Sequence, residues 1–188
     1  MVLCVCSRKT ISQRPGKTKK EVFSMQNMLV DLLALPDSRP VYEELKSKGI
    51  VIRRALAPDK KLVCDFVRRT FSECAVGEAE ASFARKPVSL FIATEQERLV
   101  GFACYEATAP DFFGPTAVEK DHRGMGIGKA LLLRSMEAMR DELGYVYAII
   151  GGVGPIPFYE KSVGARVIPN SDPSIYRDFM TPKQKEKP

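Results

Sequence analysis

A glycine-rich segment in the second half of this 188-residue chain carries the residue types best suited to hold an anion. It places glycines at the alternate positions Gly124, Gly126 and Gly128, with Arg123 before them and Lys129 after them. Glycines accept positive φ and have no side chain, so successive backbone N–H groups can converge on one point. The segment also opens an amphipathic helix, whose first turn adds free donors and partial positive charge. The pattern predicts a phosphate-binding turn.

Two widespread phosphate-binding motifs fit this segment poorly. A Walker A loop needs a glycine five positions before its last glycine and a hydroxyl after the lysine, but Arg123 and Ala130 stand there. A dinucleotide-binding turn needs G-x-G-x-x-G and an acidic residue after the next strand. Here the spacing is G-x-G-x-G, and the next strand ends in Gly151 and Gly152. A nucleotide-binding protein of another class is therefore the weaker interpretation.

The segment resembles instead the pyrophosphate loop of the GNAT superfamily, the acyl-CoA-dependent N-acyltransferases. Arg123, Gly126 and Gly128 match the family signature Q/R-x-x-G-x-G/A, and the common form R-G-x-G-I-G-x-x-L-L matches through its two leucines. Downstream, residues 157–165 (PFYEKSVGA) are similar to the family's F-Y-E-K-x-G-F segment, with one extra residue before the glycine. The resemblance covers about residues 50–180 of the chain.

The resemblance implies direct transfer of an acetyl group from acetyl-CoA to an amine, with no covalent enzyme intermediate. The main chain of Ala117 and Val118 would pair with the pantetheine arm as an added strand does. Tyr159 would be the general acid that protonates the leaving thiolate, because a phenol with a pKa of about 10 keeps its proton at neutral pH. The main-chain groups that would hold the pyrophosphate are those of Arg123, Gly124, Met125, Gly126, Ile127, Gly128 and Lys129.

Such a reaction also needs a general base, because most amines are protonated at neutral pH. Glu119 is the candidate, and Glu106, Asp111 or a chain of water molecules are alternatives. His122 is the single histidine of the chain, and it directly precedes the loop. A packing or surface role is favoured for it over catalysis.

The acceptor amine is not defined by the sequence. In the family, variable loops line the acceptor site, and here these would be residues 75–88, 108–113 and 151–157. Gly152 stands where the family often has an asparagine that bonds the pantetheine, and Pro155 where alanine is common. We expect acetyl-CoA as cosubstrate and a small-molecule or peptide amine as acceptor, with monomer and homodimer both open. The alternative is a non-catalytic acyl-CoA-binding or regulatory module of the same fold, and the tyrosine of the downstream motif favours the enzyme.

Hydrophobic periodicity and turn residues predict the elements that must position these groups. Together with the resemblance they indicate an α/β (mixed α+β) domain: a GNAT-like, mostly antiparallel twisted sheet with splayed central parallel strands, flanked by helices. The predicted helices are 40–48, 59–74, 77–86, 125–143 and 157–163, and the predicted strands are 50–56, 88–94, 99–108, 112–118, 145–150, 165–168 and 175–180.

The net charge of +6 is carried by the ends of the chain. Residues 1–24 carry +5 and residues 183–188 carry +2, so the part between them carries −1. This distribution gives no support to nucleic-acid binding, which requires a basic surface on the folded domain. We expect a disordered basic extension over 1–37, one acyltransferase domain over 38–182 and a basic tail over 183–188.

Cysteine usage and hydropathy point to a reducing, cytoplasmic setting. The five cysteines are odd in number, form no C-x-x-C pair and accompany one histidine, which argues against a disulfide framework and against a metal site. Cys64 and Cys104 are expected to be small core residues. No stretch approaches the length of about 18 apolar residues that a transmembrane helix needs, so no membrane partner is expected.

Overall fold

The computed structural model describes residues 26–177, and seven strands and five helices follow one another in this range. Short 3-10 turns join several of them. The elements are β1 (Met28–Asp31), α1 (Arg39–Ser47), β2 (Ile50–Arg54), α2 (Lys60–Thr70), α3 (Glu73–Ala84), β3 (Leu90–Glu95), β4 (Arg98–Tyr105), β5 (Phe112–Val118), α4 (Ile127–Asp141), β6 (Tyr147–Ile150), α5 (Ile156–Val163) and β7 (Arg166–Val167).

All seven strands form one sheet in the order β2-β3-β4-β5-β6-β1-β7. Every neighbouring pair is antiparallel except β5 and β6. The parallel pair has only two registers, Phe112 with Ile149 and Phe113 with Ile150. Beyond them β5 continues to Val118 while β6 has ended, so a gap opens between the two strands. The predicted fold, a mostly antiparallel sheet with a splayed parallel pair, is confirmed.

The sheet separates two apolar layers because successive strand residues point to opposite faces. In β3, Phe91 and Ala93 belong to the larger cluster, which contains α4, whereas Leu90 and Ile92 belong to the cluster built on α2 and α3. The helix predicted over 125–143 is α4, which begins at Ile127 and ends at Asp141. Of the apolar residues that predict it, Leu132, Met136 and Met139 are fully buried, whereas Leu143 lies beyond the helix and is 40% exposed. The pyrophosphate-type loop therefore lies at one end of the best-buried helix in the described chain.

The predicted boundary of the domain at residue 38 is too late. Residues 28–31, assigned above to the disordered extension, form β1 between β6 and β7 in the interior of the sheet. Met28 and Val30 are fully buried there. The rest of that extension, residues 1–25, and the tail at 183–188 lie outside the described residues.

Three further expectations are corrected. The helix predicted over 59–74 ends at Thr70, because the Ser72 hydroxyl accepts the N–H of Ala75 and starts α3. Instead of a strand over 175–180, a 3-10 turn occupies Ser174–Tyr176, and residues 178–180 lie outside the described range. Cys74 takes part in a disulfide bond, whereas the odd number of cysteines argued against a disulfide framework.

The expectation for two of the cysteines is confirmed. Cys64 and Cys104 are buried free thiols in the cluster between the sheet and the α2–α3 pair. Over residues 26–177, no helix has both the length and the apolar character needed to cross a membrane.

Candidate functional site

The loop before α4 adopts a conformation that only glycine accepts without strain. Gly124 has φ +82° and Gly126 has φ +92°, and Gly126 is the residue that caps the helix. The helix begins at Ile127. The sequence folds this way because the two glycines turn the chain sharply between the end of β5 and the first helical turn.

This turn leaves a run of backbone donors available for a ligand. Among the described residues, the first helical hydrogen bond runs from Ala130 N–H to Gly126 O at 3.0 Å, and the N–H groups from Gly124 to Lys129 donate to no backbone carbonyl. No side chain caps the helix. Six donors at the positive end of a fifteen-residue helix form the environment in which proteins hold phosphate.

The predicted pantetheine contacts, Ala117 and Val118, lie at the outer end of β5. β4 pairs with them through Phe102 and Gly101, so one edge of β5 is occupied. The other edge has no partner strand in the described range after Phe113. The side chain of Arg123 folds back over this end, where its Nε donates to Val118 O at 3.2 Å. Between Phe113 and this contact at Val118, the edge of β5 that faces the gap has no partner strand in the described range.

Tyr159 lies on α5, which packs beside the first turn of α4. Its side chain is 2% exposed and makes an edge-on contact with Phe158, whose centroid is 5.0 Å away. Phe158 in turn lies 3.7 Å from the place a Cβ on Gly128 would take, so α5 is next to the loop. Burial raises the pKa of Tyr159 to about 12. The phenol is therefore protonated throughout the neutral range.

The structure places Glu119 at the loop end of β5, away from the inner end of the gap. Its carboxylate accepts from Nη2 of Arg69 at 2.7 Å and is buried. A strand rises about 3.3 Å per residue, so Glu119 is roughly 16 Å along the strand from Gly114. Glu119 is thus brought close to the pyrophosphate-type loop and not to the inner end of the gap.

The two alternative carboxylates, Glu106 and Asp111, precede β5 at its opposite end, before the two registers that pair β5 with β6. Oε1 of Glu106 accepts the N–H of Asp111 at 2.5 Å, and the N–H of Glu106 donates to Phe112 O at 2.8 Å. The carbonyl of Asp111 accepts from Ile149, which joins this turn to β6. Burial, followed by the negative charge of Glu106, raises the pKa of Asp111. Arg85 pairs with Glu106 at 3.2 Å.

Both ring nitrogens of His122 are engaged by carboxylates. Nδ1 is 2.8 Å from Asp121 and Nε2 is 3.0 Å from Glu95. Hydrogen bonds from His122 to these two carboxylates, that of Glu95 first, raise the pKa of the imidazole. The ring therefore ties the β3–β4 hairpin to the turn that precedes the loop.

Sequence reasoning missed a contact at the inner end of the gap. Tyr176 and Phe112 both approach Gly151, the first residue after β6, and Asn27, which directly precedes β1, bonds Gly152. The run of glycines and prolines from 151 to 157 predicts an unusual loop there. No local pattern indicates Asn27 or Tyr176, because neither belongs to a motif.

Comparison with known proteins decides the family. The model of the acetyltransferase (GNAT) family matches residues 58–165, which is more than half of the chain. This chain belongs to the GNAT acetyltransferase family. Membership supports acyl-CoA-dependent acyl transfer as the general activity of the domain. No group of three or more candidate metal ligands occurs within residues 26–177.

Solved structures with the same fold are distant in sequence. A GCN5-related glucosamine N-acetyltransferase region of a fungal multi-domain β-N-acetylglucosaminidase superposes with TM-score 0.62 and 14% identity, over 77% of this chain and 20% of that one. GCN5-related N-acetyltransferases from Sphaerobacter thermophilus (TM-score 0.52, 18% identity, 77% and 49% covered) and Kribbella flavida (0.51, 12%, 78% and 55%) are also similar.

These likenesses establish the fold and do not identify a substrate. The chain spans between a fifth and about half of the length of those three structures. No curated protein matches the sequence significantly.

Proposed function

We propose that this GNAT domain transfers an acetyl group from acetyl-CoA to a primary amine of a small molecule or peptide. One observation carries the proposal: the unpaired amides of the loop adjoin a free strand edge that leads into the gap between β5 and β6. A pyrophosphate fits the amides, and a linear chain of amide groups fits the strand edge. Acetyl-CoA carries these two features in this order.

Acetyl-CoA would be placed by the main chain at both points. The N–H groups of the loop hold the pyrophosphate, with Arg123 and Lys129 adding positive charge beside it. The pantetheine amides then pair with the free edge of β5 inward of Val118, whose carbonyl accepts from Arg123. The thioester consequently lies near Gly114, at the inner part of the gap. Such placement supplies much of the rate, because it replaces a bimolecular encounter with a fixed geometry.

In the reaction the acceptor nitrogen attacks the thioester carbonyl, a C–N bond forms, and the C–S bond breaks. Tyr159 is proposed to meet the sulfur as it gains charge. A thiol has a pKa of about 8.5, so full proton transfer from a phenol with pKa about 12 is unfavourable, and a hydrogen bond to the developing thiolate is its main contribution. Hydrogen bonds to charged groups contribute about 1.5–3 kcal/mol, so Tyr159→Phe should lower kcat by about 10- to 150-fold.

The proton of the acceptor ammonium is assigned to Asp111, directly or through water, in place of Glu119. Asp111 directly precedes β5, next to the paired registers at the inner end of the gap, and its raised pKa makes it a better base than an ordinary aspartate. The Glu119 carboxylate forms an ion pair with Arg69 at the other end of β5. Asp111→Asn should lower kcat/KM by about 100-fold or more and change the acidic limb of the pH–rate profile. Glu119→Gln serves as the control and should leave that limb in place.

The deciding experiment measures CoA release from acetyl-CoA across a panel of amines, including polyamines, amino acids, aminosugars and lysine peptides. The proposal requires at least one acceptor whose acetylated product is seen by mass spectrometry and whose turnover falls with Tyr159→Phe. Thermal shifts with acetyl-CoA, ATP and NAD accompany it. Binding of acetyl-CoA without turnover on any amine would favour the non-catalytic module, and a shift with ATP or NAD but with no CoA ester would overturn both.

A further inference from the structure

The inner end of the gap is closed by two aromatic side chains that meet over a glycine. A Cβ on Gly151 would lie 2.6 Å from the hydroxyl oxygen of Tyr176 and 2.9 Å from Cδ1 of Phe112. Real Cβ atoms do not approach their neighbours this closely, so Gly151 has no room for a side chain. Phe112 and Tyr176 are both buried. We call these three residues the inner wall of the gap.

The inner wall is assembled from three distant parts of the chain. Phe112 begins β5, Gly151 follows β6, and Tyr176 ends the 3-10 turn Ser174–Tyr176. The 3-10 turn that carries Tyr176 is not part of the sheet, so strand pairing does not place Tyr176 over Gly151. Other tertiary contacts must do so.

Asn27 holds two parts of this wall together. Its Nδ2 donates to the Ser174 hydroxyl at 2.5 Å, and its Oδ1 accepts the N–H of Gly152 at 3.2 Å. Its own N–H donates to the Ser171 hydroxyl at 2.8 Å. Asn27 is 5% exposed and its three partners are half-buried, so the loss of a partner would leave a polar group of a buried side chain unsatisfied. A single buried amide thereby fixes the exit of β6 relative to the turn that carries Tyr176.

We propose that the inner wall limits the acyl group to acetyl, with Phe112 and Tyr176 as specificity-determining residues and Asn27 as a positioning residue. The inference rests on the proposed function, which places the thioester at the inner part of the gap. The acyl group extends beyond the thioester, away from the loop, and so arrives at the wall. An added methylene must displace a buried ring. In a hydrophobic slot one methylene changes discrimination by about 10- to 200-fold.

The test compares binding of CoA, acetyl-CoA and butyryl-CoA by titration calorimetry, which needs no acceptor amine. For the wild type we expect CoA and acetyl-CoA to bind with similar affinity and butyryl-CoA about 10-fold or more weakly. Tyr176→Ala should recover butyryl-CoA binding while leaving the affinity for CoA within about twofold. Tyr176→Phe keeps the ring and should keep the discrimination. Ile175→Ala changes the exposed neighbour in the same turn and serves as the control.

Two further variants keep the proposal falsifiable if Tyr176→Ala does not fold. Phe112→Leu trims the other side of the wall, and Asn27→Ala releases the turn that carries Tyr176. Both should relax the preference for acetyl-CoA over butyryl-CoA with CoA affinity retained, a result that general destabilisation would not produce.

Equal affinity of the wild type for acetyl-CoA and butyryl-CoA would overturn the proposal, as would undiminished discrimination in folded Tyr176→Ala and Phe112→Leu proteins. Neither result touches the proposed function, which CoA release from acetyl-CoA tests separately. Absence of binding by all three CoA species would overturn the proposed function, and this inference with it.

Discussion

Alanine substitutions in the loop before α4 test whether its glycines are needed for a positive φ or because a Cβ would not fit. Gly126 has φ +92°, and a Cβ there would lie 3.4 Å from Cγ2 of Val41 on α1. Gly128 is in the first turn of α4, and a Cβ there would meet Phe158 at 3.7 Å, an ordinary contact. Gly126→Ala and Gly128→Ala therefore add the same methyl group two positions apart with opposite consequences.

The expected magnitudes follow from the backbone. A non-glycine residue in such a conformation costs about 1–3 kcal/mol. Alanine also restricts the unfolded chain more than glycine does, which offsets about 0.4–1 kcal/mol of this cost. Gly126→Ala should therefore lower the free energy of unfolding by about 1–2 kcal/mol, or else let the loop rotate away from its anion-binding geometry. Only rotation of the loop weakens CoA binding, by about 10-fold at about 1.4 kcal/mol per tenfold, because a folded protein that keeps the loop geometry binds CoA as the wild type does. Gly128→Ala should gain about 0.5–1 kcal/mol from helix propensity and bind CoA normally.

Urea denaturation gives the free energy of unfolding, and calorimetric titration with CoA gives the affinity. Gly124→Ala is a third variant, because Gly124 has φ +82° but no atom within 4 Å of the place a Cβ would take, so it tests φ alone. Its CoA affinity should fall as that of Gly126→Ala does. Wild-type values of both the free energy of unfolding and the CoA affinity in Gly126→Ala would refute this account. An equally large decrease of either quantity in Gly128→Ala and Gly126→Ala would refute it as well.

Three other outcomes are expected. Because the pKa of His122 is raised in the folded state, its stabilising effect is complete below about pH 6.5 and is lost as pH rises through the folded pKa. Thermal melts should therefore show that the wild type exceeds His122→Gln in stability by less at pH 8 than at pH 6. Removal of residues 1–24 should leave acetyl-CoA affinity unchanged in calorimetry, whereas removal of 1–31 deletes β1 and should abolish it. Urea denaturation should show a free energy of unfolding about 1–3 kcal/mol lower for Gly101→Ala, since its methyl group would meet three neighbours at 3.2–3.3 Å. Gly77→Ala, whose methyl group would lie in open space on α3, should be about 0.5–1 kcal/mol more stable than the wild type, and equal effects of the two changes would contradict this.

Local spacing predicts most of the fold because most elements satisfy their own patterns. The apolar stripe of α4 and the hairpin of β3 and β4 are both visible in short windows of sequence. β1 is not, because Met28–Asp31 has only four residues, and the strands that bury it come late in the chain. A four-residue segment is too short to show a clear hydrophobic period, so its place in the sheet is determined by tertiary contacts. The composition around Ser174–Tyr176 likewise predicts a strand, whereas the structure forms a 3-10 turn.

The same distinction applies to the site. The loop before α4 and Tyr159 belong to contiguous motifs, so the sequence indicates both. The carboxylates could not be ranked from sequence, because Glu119 and Asp111 flank opposite ends of one strand. Only the structure shows that Glu119 is near the loop and that Asp111 is near the registers that pair β5 with β6. Asn27 and Tyr176 contact residues far away in the chain, and Asn27 is 125 positions from its partner Gly152.

The position of β1 between β6 and β7 has a consequence for how the chain is made. A ribosome adds about 5–20 residues per second, so roughly 6–25 s separate the synthesis of Asn27 from that of Gly152. During this time β1 lacks both of the strands with which it pairs in the folded domain. High contact order of this kind slows folding and favours aggregation. The earliest described strand to leave the ribosome is thus among the last that can pair, and the inner wall of the gap forms only when both ends of the domain have met.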